Sequence, residues 1–489
     1  MGERVEWASN LTFLMAMIGA AVGLGNIWRF PYIFYSNGQG SFLIPYLCAI
    51  LILGLSFLLL EYSLGAKFKD SVLNTFARVD KKFKLVAWAI MLISFLIVTY
   101  YLCIVGWDLN YFVLSFTKAW GANPDAFFNI SLLHSTTDLS GITQIVPYVF
   151  IAILVLWVIV WYISHKGLNE GIGKFTSLFV PLLFILGIGI AIYNVTLPGA
   201  SIGLVRFLQP NWSLLLTADI WLAAFGQILF TLSLGITVVL AYSSHLPEKV
   251  NLTRNACTVI LANCGFELTN AIGVFSILGY MSYTTGLSFD QLITSGSGLA
   301  FVVFPQVFNI LGDVGYILGP IFFFSILIAG ITTAISYIEP LVDSFEDTFN
   351  ISRKKAVTII SIMGFLVSVI FATAAGNLLI TLFDDFLNNF ALMIGIILQC
   401  IIFAHFYGTT DLKAMLNRYT WFTVGTWWDV IIKYILPILI AVLWIIGVYD
   451  LIMSSNVEKL LVYVIIAIAL IIVPLILNFL DNKINKVDA

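Results

Sequence analysis

The residues from position 19 to position 31 interrupt the first long apolar segment with glycines, an amide and an arginine, in the order GAAVGLGNIWRFP. A charge at the centre of a bilayer costs about 2.5 to 3.5 kcal/mol even on the gentlest insertion scale. Unwound backbone also needs partners inside the protein, and it is tolerated where it lines a cavity. Its carbonyl oxygens can hold a cation, while the N–H groups of the following half-helix favour an anion. The segment therefore predicts a solute pathway rather than a membrane anchor.

Oxygen-bearing side chains recur in three later apolar segments. The run from 226 to 235, GQILFTLSLG, again places hydroxyls and a glycine at mid-depth, and Thr332 and Thr333 follow an Ala-Gly pair. Asn263 and Glu267 are one helical turn apart and project toward the same neighbour. Hydroxyls in membrane helices usually bond to their own helix, and a buried acid can hold a structural hydrogen bond instead of a ligand. Because small and polar residues converge where irregular backbone is allowed, we favour a ligand role for the threonines and a functional role for the acid.

The chain as a whole is too apolar for a soluble domain. Of its 489 residues, 61% are hydrophobic and only 10% are charged, and the mean hydropathy is +1.02. This composition predicts an all-α polytopic membrane protein that is embedded in the lipid bilayer. At about 20 residues per span, twelve apolar segments fit. They cover residues 9–35, 41–66, 85–116, 146–164, 171–194, 218–242, 255–280, 315–342, 356–374, 378–407, 429–449 and 459–480.

The distribution of basic residues predicts the orientation. Nineteen lysines and arginines fall in the termini and the even-numbered connections, whereas the odd-numbered connections hold three, and Arg29 stands alone within a span. The positive side of a membrane protein faces the cytoplasm. We therefore expect a multi-pass protein of the plasma membrane with both termini in the cytoplasm. The formal net charge of −3 is explained by this topology, and nothing indicates a nucleic-acid partner.

The two interrupted segments are the first and the sixth, so each begins a set of five spans. Because five is odd, the two sets must cross the membrane with opposite polarity, as an inverted repeat whose broken helices 1 and 6 face each other near the midplane. We expect the first repeat at residues 9–194, the second at 218–407, and two extra peripheral helices at 429–480.

Five separated motifs together resemble the neurotransmitter:sodium symporter family, and above all its prokaryotic amino-acid transporters, such as a bacterial leucine-transporting relative. The motifs are the stretch from 19 to 31, the run from 226 to 235, Ala329-Gly330-Ile331-Thr332-Thr333, Leu60-Glu61-Tyr62 and Tyr100-Tyr101. The resemblance covers nearly the whole chain. It implies a sodium-coupled symporter that imports a neutral, hydrophobic amino acid by alternating access.

The resemblance implies two sodium ions, each held by oxygen atoms at the breaks. The first sodium site would consist of the Ala21 carbonyl and the side chains of Asn26, Thr231 and Asn263, completed by the substrate carboxylate. The second would consist of carbonyls of Gly19, Val22 and Ala329 and the hydroxyls of Thr332 and Thr333.

Gly23 bears on the substrate, because monoamine-carrying relatives place an aspartate at this position. Glycine leaves room for a carboxylate on the substrate, so a full amino acid is expected. By the same resemblance, Tyr101 would donate to that carboxylate, and carbonyls around Phe230 and Ser233 would receive the ammonium group. The substrate-binding residues implied are Ala21, Gly23, Gly25, Ile97, Tyr101, Ile104, Phe230, Thr231, Ser233, Ile236, Thr333 and Tyr337. Ile236 and Tyr337 depart from the leucine-transporting relative, which has an aromatic and an aliphatic residue there.

Chloride-dependent relatives carry a neutral hydroxyl at the position of Glu267 and recruit an anion, whereas prokaryotic members carry an acid. The resemblance therefore implies that Glu267 substitutes for chloride and that no chloride is required. Its alternative role remains a structural hydrogen bond to the bundle.

The remaining charges predict two gates. At the outer mouth, Arg29 would pair with Asp384 or Asp385, and Tyr101 and Phe230 would form a thin lid beneath them. The inner gate implied by the resemblance consists of Arg4, Trp7 and Asp347. Two departures from the family lie nearby, since His245 replaces an aromatic hydroxyl and Glu339 replaces an amide, and either could add pH sensitivity.

Two other classes of function would make different demands on this sequence. An intramembrane enzyme would need a nucleophile with a base, or a metal cluster, and the four histidines lie at or beyond the span ends without HExxH spacing. We therefore expect no catalytic residues. A solute-gated channel or an amino-acid sensor on the same fold remains the alternative.

Overall fold

The computed structural model describes residues 5–293, 296–454 and 457–487. Within these ranges the chain is almost entirely helical, and the only β-contacts are isolated bridges, at Gln39 with Pro210 and Ile145 with Thr373. Arg4, which belongs to the expected inner gate, lies outside the described residues. The all-α fold class predicted from the composition is confirmed.

Ten helices in the described residues are long and apolar enough to cross a membrane. We number them by their place among the twelve spans. They are span 2 (Gly40–Phe68), span 3 (Lys81–Ser115), span 4 (Pro147–His165), span 5 (Leu168–Val195), span 7 (Leu252–Thr285), span 8 (Gly312–Phe349), span 9 (Arg353–Ala372), span 10 (Gly376–Tyr407), span 11 (Thr426–Met453) and span 12 (Val457–Lys483).

Span 1 is broken where the sequence analysis expects it. It consists of Asn10–Ala21 and Gly25–Ser36, whose axes differ by 54°. Span 6 consists of the shorter helices Ala218–Thr231 and Val238–Ser244, separated by six residues. In that linker Ser233 (φ 50°), Gly235 (φ 77°) and Thr237 (φ 65°) adopt left-handed backbone, which ends the helix and turns the carbonyls and N–H groups away from an α-helical path.

The linker of span 6 is supported by span 2. Glu61 is completely buried, and its carboxyl group lies near the backbone N–H groups of Gly235 and Thr237. An acid in this position is suited to accept from N–H groups that a broken membrane helix leaves without internal partners. The Ser243 hydroxyl of span 6 also donates to the backbone carbonyl of Glu61 over 3.2 Å.

Spans 3 and 8 run antiparallel through the centre and position the residues between the two breaks. The Ser94 hydroxyl donates to the Tyr337 carbonyl over 3.0 Å in the first half of span 3. In the middle, Gly330 lies against Val105 so closely that a Cβ would be 2.6 Å from the valine side chain. Glycine at this point therefore sets how near the two helices approach. Short helices in the connections include Val72–Ala77, Ala200–Leu208, Leu299–Ile310 and Thr410–Asn417.

Candidate substrate and sodium site

The breaks of spans 1 and 6 meet in the interior. The Ser233 hydroxyl donates to the Ala20 carbonyl over 3.1 Å, which joins the two unwound segments directly. On their outer side, a Cβ at Gly25 would lie 2.4 Å from the Phe230 ring. The two irregular segments therefore form one site, as their placement in the sequence predicts.

Three side chains from different spans form a closed hydrogen-bonded ring beside the breaks. The Asn26 amide donates to Thr231 Oγ1 over 3.0 Å and to Asn263 Oδ1 over 2.8 Å, and the Asn263 amide donates to Thr231 Oγ1 over 3.0 Å. The Gly23 N–H closes the arrangement with a 2.8 Å bond to Asn26 Oδ1. All three ring members are at most 2% exposed. Amide and hydroxyl oxygens are ligands that a hard cation prefers, so this set of oxygen atoms fits Na⁺.

Glu267 lies one turn beyond Asn263 and is fully buried. Its carboxylate accepts hydrogen bonds from the Tyr46 hydroxyl and from the Gln227 amide, and Thr231 lies within hydrogen-bonding reach. A negative group with these partners lies next to the ring of Asn26, Thr231 and Asn263. An acid here is therefore both hydrogen-bonded and able to balance a positive ion.

Sequence reasoning missed Tyr46 and Gln227 as partners of this acid. Gln227 carries a usable signal, because it lies four residues before Thr231 on the broken span and so shares its face. Tyr46 lies on span 2, and its contact with Glu267 depends on the approach of two helices separated by 221 residues. No local pattern marks that approach.

The residues expected at the second sodium site also come together, between spans 1 and 8. The Thr333 hydroxyl donates to the Gly19 carbonyl over 3.3 Å, and a Cβ on Gly19 would lie 3.2 Å from Thr332 Cβ. The Thr332 hydroxyl donates to the Ile328 and Ala329 carbonyls at 3.0 Å each, which is back-bonding to its own helix. Back-bonding and cation binding are compatible, because a hydroxyl that donates its proton still has lone pairs to offer. Val22 is completely buried at the end of the first half of span 1.

Gly23 faces the hydroxyls expected to contact a substrate carboxylate. A Cβ at this position would lie 3.1 Å from Tyr101 Oη and 3.1 Å from Thr333 Oγ1. The Leu24 N–H also donates to Tyr101 Oη over 3.4 Å. Any larger residue at position 23 would occupy the space between these groups, so the glycine keeps it open.

The wall of the expected side-chain pocket comes from spans 3, 6 and 8. Ile97 and Ile104 lie four residues before and three residues after Tyr101, on the same face of span 3. The rings of Tyr101 and Tyr337 face each other with centroids 6.3 Å apart and planes 27° apart. The Tyr337 hydroxyl lies 3.2 Å from Ser233 Oγ, and Ile236 is buried in the linker that follows.

Comparison with known proteins gives the family and the fold of the chain. The model of the sodium:neurotransmitter symporter family matches residues 4–124 and 121–480. The chain belongs to this family. It is 36% identical over 439 residues to an uncharacterised sodium-dependent transporter of Methanocaldococcus jannaschii, covering 90% of this chain and 89% of that protein. It is 29% identical over 451 residues to the human sodium- and chloride-dependent creatine transporter 1, covering 83% of this chain and 71% of the relative.

A solved member has the same architecture. The crystal structure of MhsT in complex with L-phenylalanine matches with a TM-score of 0.77 and 28% identity, over 90% of this chain and 99% of that one. This confirms the symporter fold with broken spans 1 and 6. The protein is therefore a sodium-dependent membrane transporter and not an enzyme.

At the outer end of this symporter, the Arg29 guanidinium lies over the Phe230 ring, 4.3 Å from its centroid. Asp384 is within electrostatic reach of Arg29 and accepts 2.8 Å hydrogen bonds from the Tyr100 hydroxyl and the Asn388 amide. Arg29 therefore lies on Phe230, the expected lid residue, rather than on a carboxylate.

The neighbouring acid points elsewhere. Asp385 pairs with Lys459 of span 12 over 2.8 Å and accepts a hydrogen bond from the Tyr463 hydroxyl. A cavity of about 360 Å³ opens beside these groups, lined among others by Arg29, Gln227 and Asp385. The geometry thus separates the two aspartates, which the sequence left as alternatives.

At the inner end, Trp7 is 3% exposed and is tied to the end of span 6. Its ring N–H donates to the Tyr242 carbonyl over 2.8 Å, and its backbone N–H donates to the His245 carbonyl over 2.9 Å. Asp347 accepts a long 3.4 Å hydrogen bond from the Asn74 amide and lines a cavity of about 540 Å³. Of the expected inner gate, Trp7 is thus held against span 6, while Asp347 lies beside the cavity.

The two family departures also lie at this end. Arg353 forms a bidentate ion pair with Glu339, with both N–O distances at 2.7 Å, and Glu339 is completely buried. The same guanidinium lies 3.8 Å from an oxygen of Asp343 and 3.8 Å from one of Glu346. His245 contacts Asp343 on one side and the N-terminal segment on the other.

Proposed function

We propose that this protein uses two sodium ions to import a neutral, hydrophobic amino acid by alternating access, without chloride, across a plasma membrane with both termini in the cytoplasm. The observation that carries the proposal is the buried ring of Asn26, Thr231 and Asn263, one turn from Glu267 and directly beside Gly23. A cation at the ring and a carboxylate in the space at Gly23 would neutralise each other inside the membrane.

Each charged group of an amino-acid substrate has a suitable partner in the site. The open side of Gly23, with the hydroxyls of Tyr101 and Thr333 within reach, suits a carboxylate. The carbonyls at the end of the first half of span 6 form the negative end of a half-helix, which suits an ammonium group. MhsT, which shares the fold, binds L-phenylalanine in its crystal structure, and this supports an amino-acid substrate here.

Two sodium ions supply enough free energy for accumulation. One monovalent cation that crosses 100 mV releases about 2.3 kcal/mol, and a tenfold gradient adds about 1.4 kcal/mol. Two ions therefore give roughly 7.4 kcal/mol, an upper limit on accumulation on the order of 10⁵-fold for a zwitterion. In this cycle the side chains orient the solute and exclude water, while the breaks of spans 1 and 6 supply the coordinating carbonyls.

The decisive experiment measures thermal stabilisation of the purified chain by the twenty amino acids, with sodium or potassium as the only cation. We expect stabilisation by a neutral, hydrophobic amino acid in sodium and none in potassium. Equal stabilisation in both cations would refute sodium coupling.

The variant Thr333→Val should raise the sodium concentration for half-maximal stabilisation by about tenfold, because a buried oxygen ligand is lost. Thr99→Val is the matched control, since its buried hydroxyl bonds only to the Leu96 carbonyl of its own helix.

Chloride independence follows from the negative charge at Glu267. Uptake into proteoliposomes should be unchanged when gluconate replaces chloride. In Glu267→Ser, the Tyr46 and Gln227 donors would face a neutral hydroxyl, and uptake should then require chloride. Loss of wild-type uptake in gluconate would exclude this role of the acid.

A solute-gated channel or an amino-acid sensor is the other candidate on this fold. A channel would carry current far above one set of charges per substrate molecule, and a sensor would bind without net uptake. The match to sodium-dependent transporters in family and fold favours a symporter. Parallel recording of current and substrate flux in the same proteoliposomes separates the three.

A further inference from the structure

Asp108 of span 3 is a completely buried acid that the proposed transport mechanism does not use. Neither of its carboxyl oxygens has a hydrogen-bond partner among the described residues. No positively charged side chain in that part of the chain lies within electrostatic reach of the carboxyl. The buried acids Glu267, Glu339 and Asp384 differ, because each of them accepts hydrogen bonds from neighbouring side chains. Asp108 therefore needs a different explanation.

The face of span 3 that carries Asp108 lies against span 8. Val105, three residues earlier, packs against Gly330, and Ser115, seven residues later, packs against Gly319. Residues three, four and seven apart share a helix face, so Asp108 lies opposite the stretch between the two glycines. That stretch, PIFFFSILIA at 320–329, contains no acidic or basic residue and no histidine. It therefore offers Asp108 no counter-ion.

The donors near Asp108 are directed elsewhere. On span 3, the Asn110 amide donates to two backbone carbonyls, and the Tyr111 hydroxyl donates to a third over 2.9 Å. The Trp107 indole N–H has no partner, so it does not reach Asp108 either. On span 8, the Ser325 hydroxyl donates to a carbonyl of its own helix over 2.7 Å. An ionised carboxylate here would be buried without a donor or a cation, whereas a neutral carboxylic acid avoids the cost of that charge.

Asp108 lies two helical turns from a residue of the expected substrate site. Tyr101 is seven residues earlier on the same face, and its hydroxyl is within electrostatic reach of the Asp108 carboxyl. Aromatic rings connect this region to the second half of span 1. The Trp28 ring centroid lies 5.8 Å from that of Phe301, which lies 5.0 Å from that of Tyr111, three residues after Asp108. A movement of that half of span 1 would therefore loosen the packing beside Asp108.

Several elements around this part of span 3 carry titratable groups. They are Tyr100, Tyr101, Cys103 and Tyr111 of span 3, Lys118 after it, Arg29 of span 1, Asp125 before span 4, Tyr148 of span 4, Tyr316 of span 8, and Asp384 and Asp385 of span 10. The Tyr100 hydroxyl donates to Asp384. The cations of Lys118 and Arg29 lie over aromatic rings and not within reach of Asp108. Neither cation therefore balances a negative charge at Asp108.

We propose that Asp108 is a proton-binding site in the second half of span 3, and that it exchanges its proton with water when the second half of span 1 moves away. The proposal rests on the proposed alternating access. In the arrangement described here, the carboxyl is protonated. After the movement its O–H bond breaks, the proton goes to water and a hydrated carboxylate remains. A substrate carboxylate at the Tyr101 hydroxyl would add a negative charge nearby and so favour the protonated form.

Linkage gives the sign and the size of the effect. The form with Asp108 buried binds one proton more than the form with Asp108 hydrated, so a rising pH favours the hydrated form. The ratio of the hydrated to the buried form increases by up to tenfold per pH unit, within the range where the site titrates. That range lies above about pH 4, because a hydrated aspartate is ionised there.

The first test detects the proton directly. Infrared spectra of the purified full chain and of Asp108→Asn are recorded at pH 7 in ordinary and in heavy water. The wild type should show an additional C=O stretching band of a protonated carboxyl, which shifts to lower frequency in heavy water. The matched control Asp313→Asn, which changes an exposed acid at the start of span 8, should keep this band. Spectra of the wild type and Asp108→Asn without this difference would overturn the proposal.

The second test measures whether the proton is linked to movement of span 1. Hydrogen–deuterium exchange of the amides in Phe30–Ser36 is followed between pH 6 and pH 8 and corrected for intrinsic exchange. Exchange in the wild type and in Asp313→Asn should increase with pH, by up to tenfold per unit. Asp108→Asn has the same shape and cannot ionise, so this increase should be lost.

An equal pH dependence of exchange in the wild type and Asp108→Asn would overturn the proposal, even if the infrared band is present. Neither measurement needs sodium or substrate. A failure of sodium-coupled uptake would therefore count against the proposed function alone.

Discussion

The groups at the two proposed gates are held by different kinds of contact. At the outer end, Arg29 lies over the Phe230 ring beside a cavity of about 360 Å³. At the inner end, Arg353 holds the fully buried Glu339 with two charge-assisted bonds, and Trp7 is hydrogen-bonded to span 6. A cation over an aromatic ring contributes about 0.5 to 2 kcal/mol, whereas removing one partner of a buried ion pair costs about 3 to 5 kcal/mol. The contact at the proposed outer gate is therefore weaker than the buried ion pair at the proposed inner gate.

The largest effect that this comparison predicts is at Arg353. Arg353→Gln leaves Glu339 buried without its cation, and we expect the free energy of unfolding to fall by about 3 to 5 kcal/mol. Thermal unfolding of the purified chain in detergent measures this. The double variant with Glu339→Gln removes the unpaired charge and should recover most of the loss. If the double variant is as unstable as the single one, the stabilisation comes from packing and not from the ion pair.

At the lid, Arg29→Gln should speed substrate release without a comparable loss of stability. The change removes the contact with Phe230, worth about 1 to 2 kcal/mol when partly desolvated, so release of labelled amino acid to the outside should be about 5- to 30-fold faster. Arg206→Gln is the matched control, since that arginine pairs with Asp290 at the outer surface. An unchanged release rate would show that Arg29 does not hold the lid.

The two neighbouring aspartates should have different effects at the outer end. Asp384→Asn removes the negative group within reach of Arg29, and we expect release to become a few-fold faster. Asp385→Asn instead weakens the contact with Lys459 and should raise hydrogen exchange in span 12, with no change in release. The opposite assignment of these effects would mean that Asp385 serves the gate.

The difference between the ends also explains what the sequence could predict. The breaks at 19–31 and 226–235 and the twelve apolar segments were predictable. The free-energy cost of placing a polar group in a membrane depends on the type of each residue, which the sequence gives directly. Asn26, Thr231 and Asn263 were identified through motifs, and the structure places them in one ring. Their role as sodium ligands stays a prediction.

The contacts that close the ends were not predictable in the same way. His245 meets Val5 across 240 residues and Asp343 across 98, and Tyr46 meets Glu267 across 221. Such pairs depend on how helices approach one another, and a polar residue gives no sign in the sequence of which partner it will reach. The choice between Asp384 and Asp385 shows the same limit, since adjacent residues on a helix point about 100° apart and only the packed neighbours decide.

The smallest effect is expected at the outer surface, where Asp290 joins the end of span 1 to the helix Ala200–Leu208. It accepts a hydrogen bond from Tyr35 and pairs with Arg206 over 2.7 Å, and these two partners lower the pKa of its carboxyl below the ordinary 3.8. A lowered pKa in the folded state stabilises above the ordinary value and is lost as the pH falls through the folded value. Because the pair is largely exposed, Asp290→Asn should lower the free energy of unfolding at pH 7 by less than about 1 kcal/mol. Thermal unfolding of both chains at pH 7 and below pH 3.8 tests this, and the difference should shrink toward zero in acid. A difference in unfolding free energy that persists in acid would show that the carboxylate charge does not join these outer segments. The contrast between a weak exposed pair at the outer surface and a strong buried pair at the inner end would then not hold for Asp290.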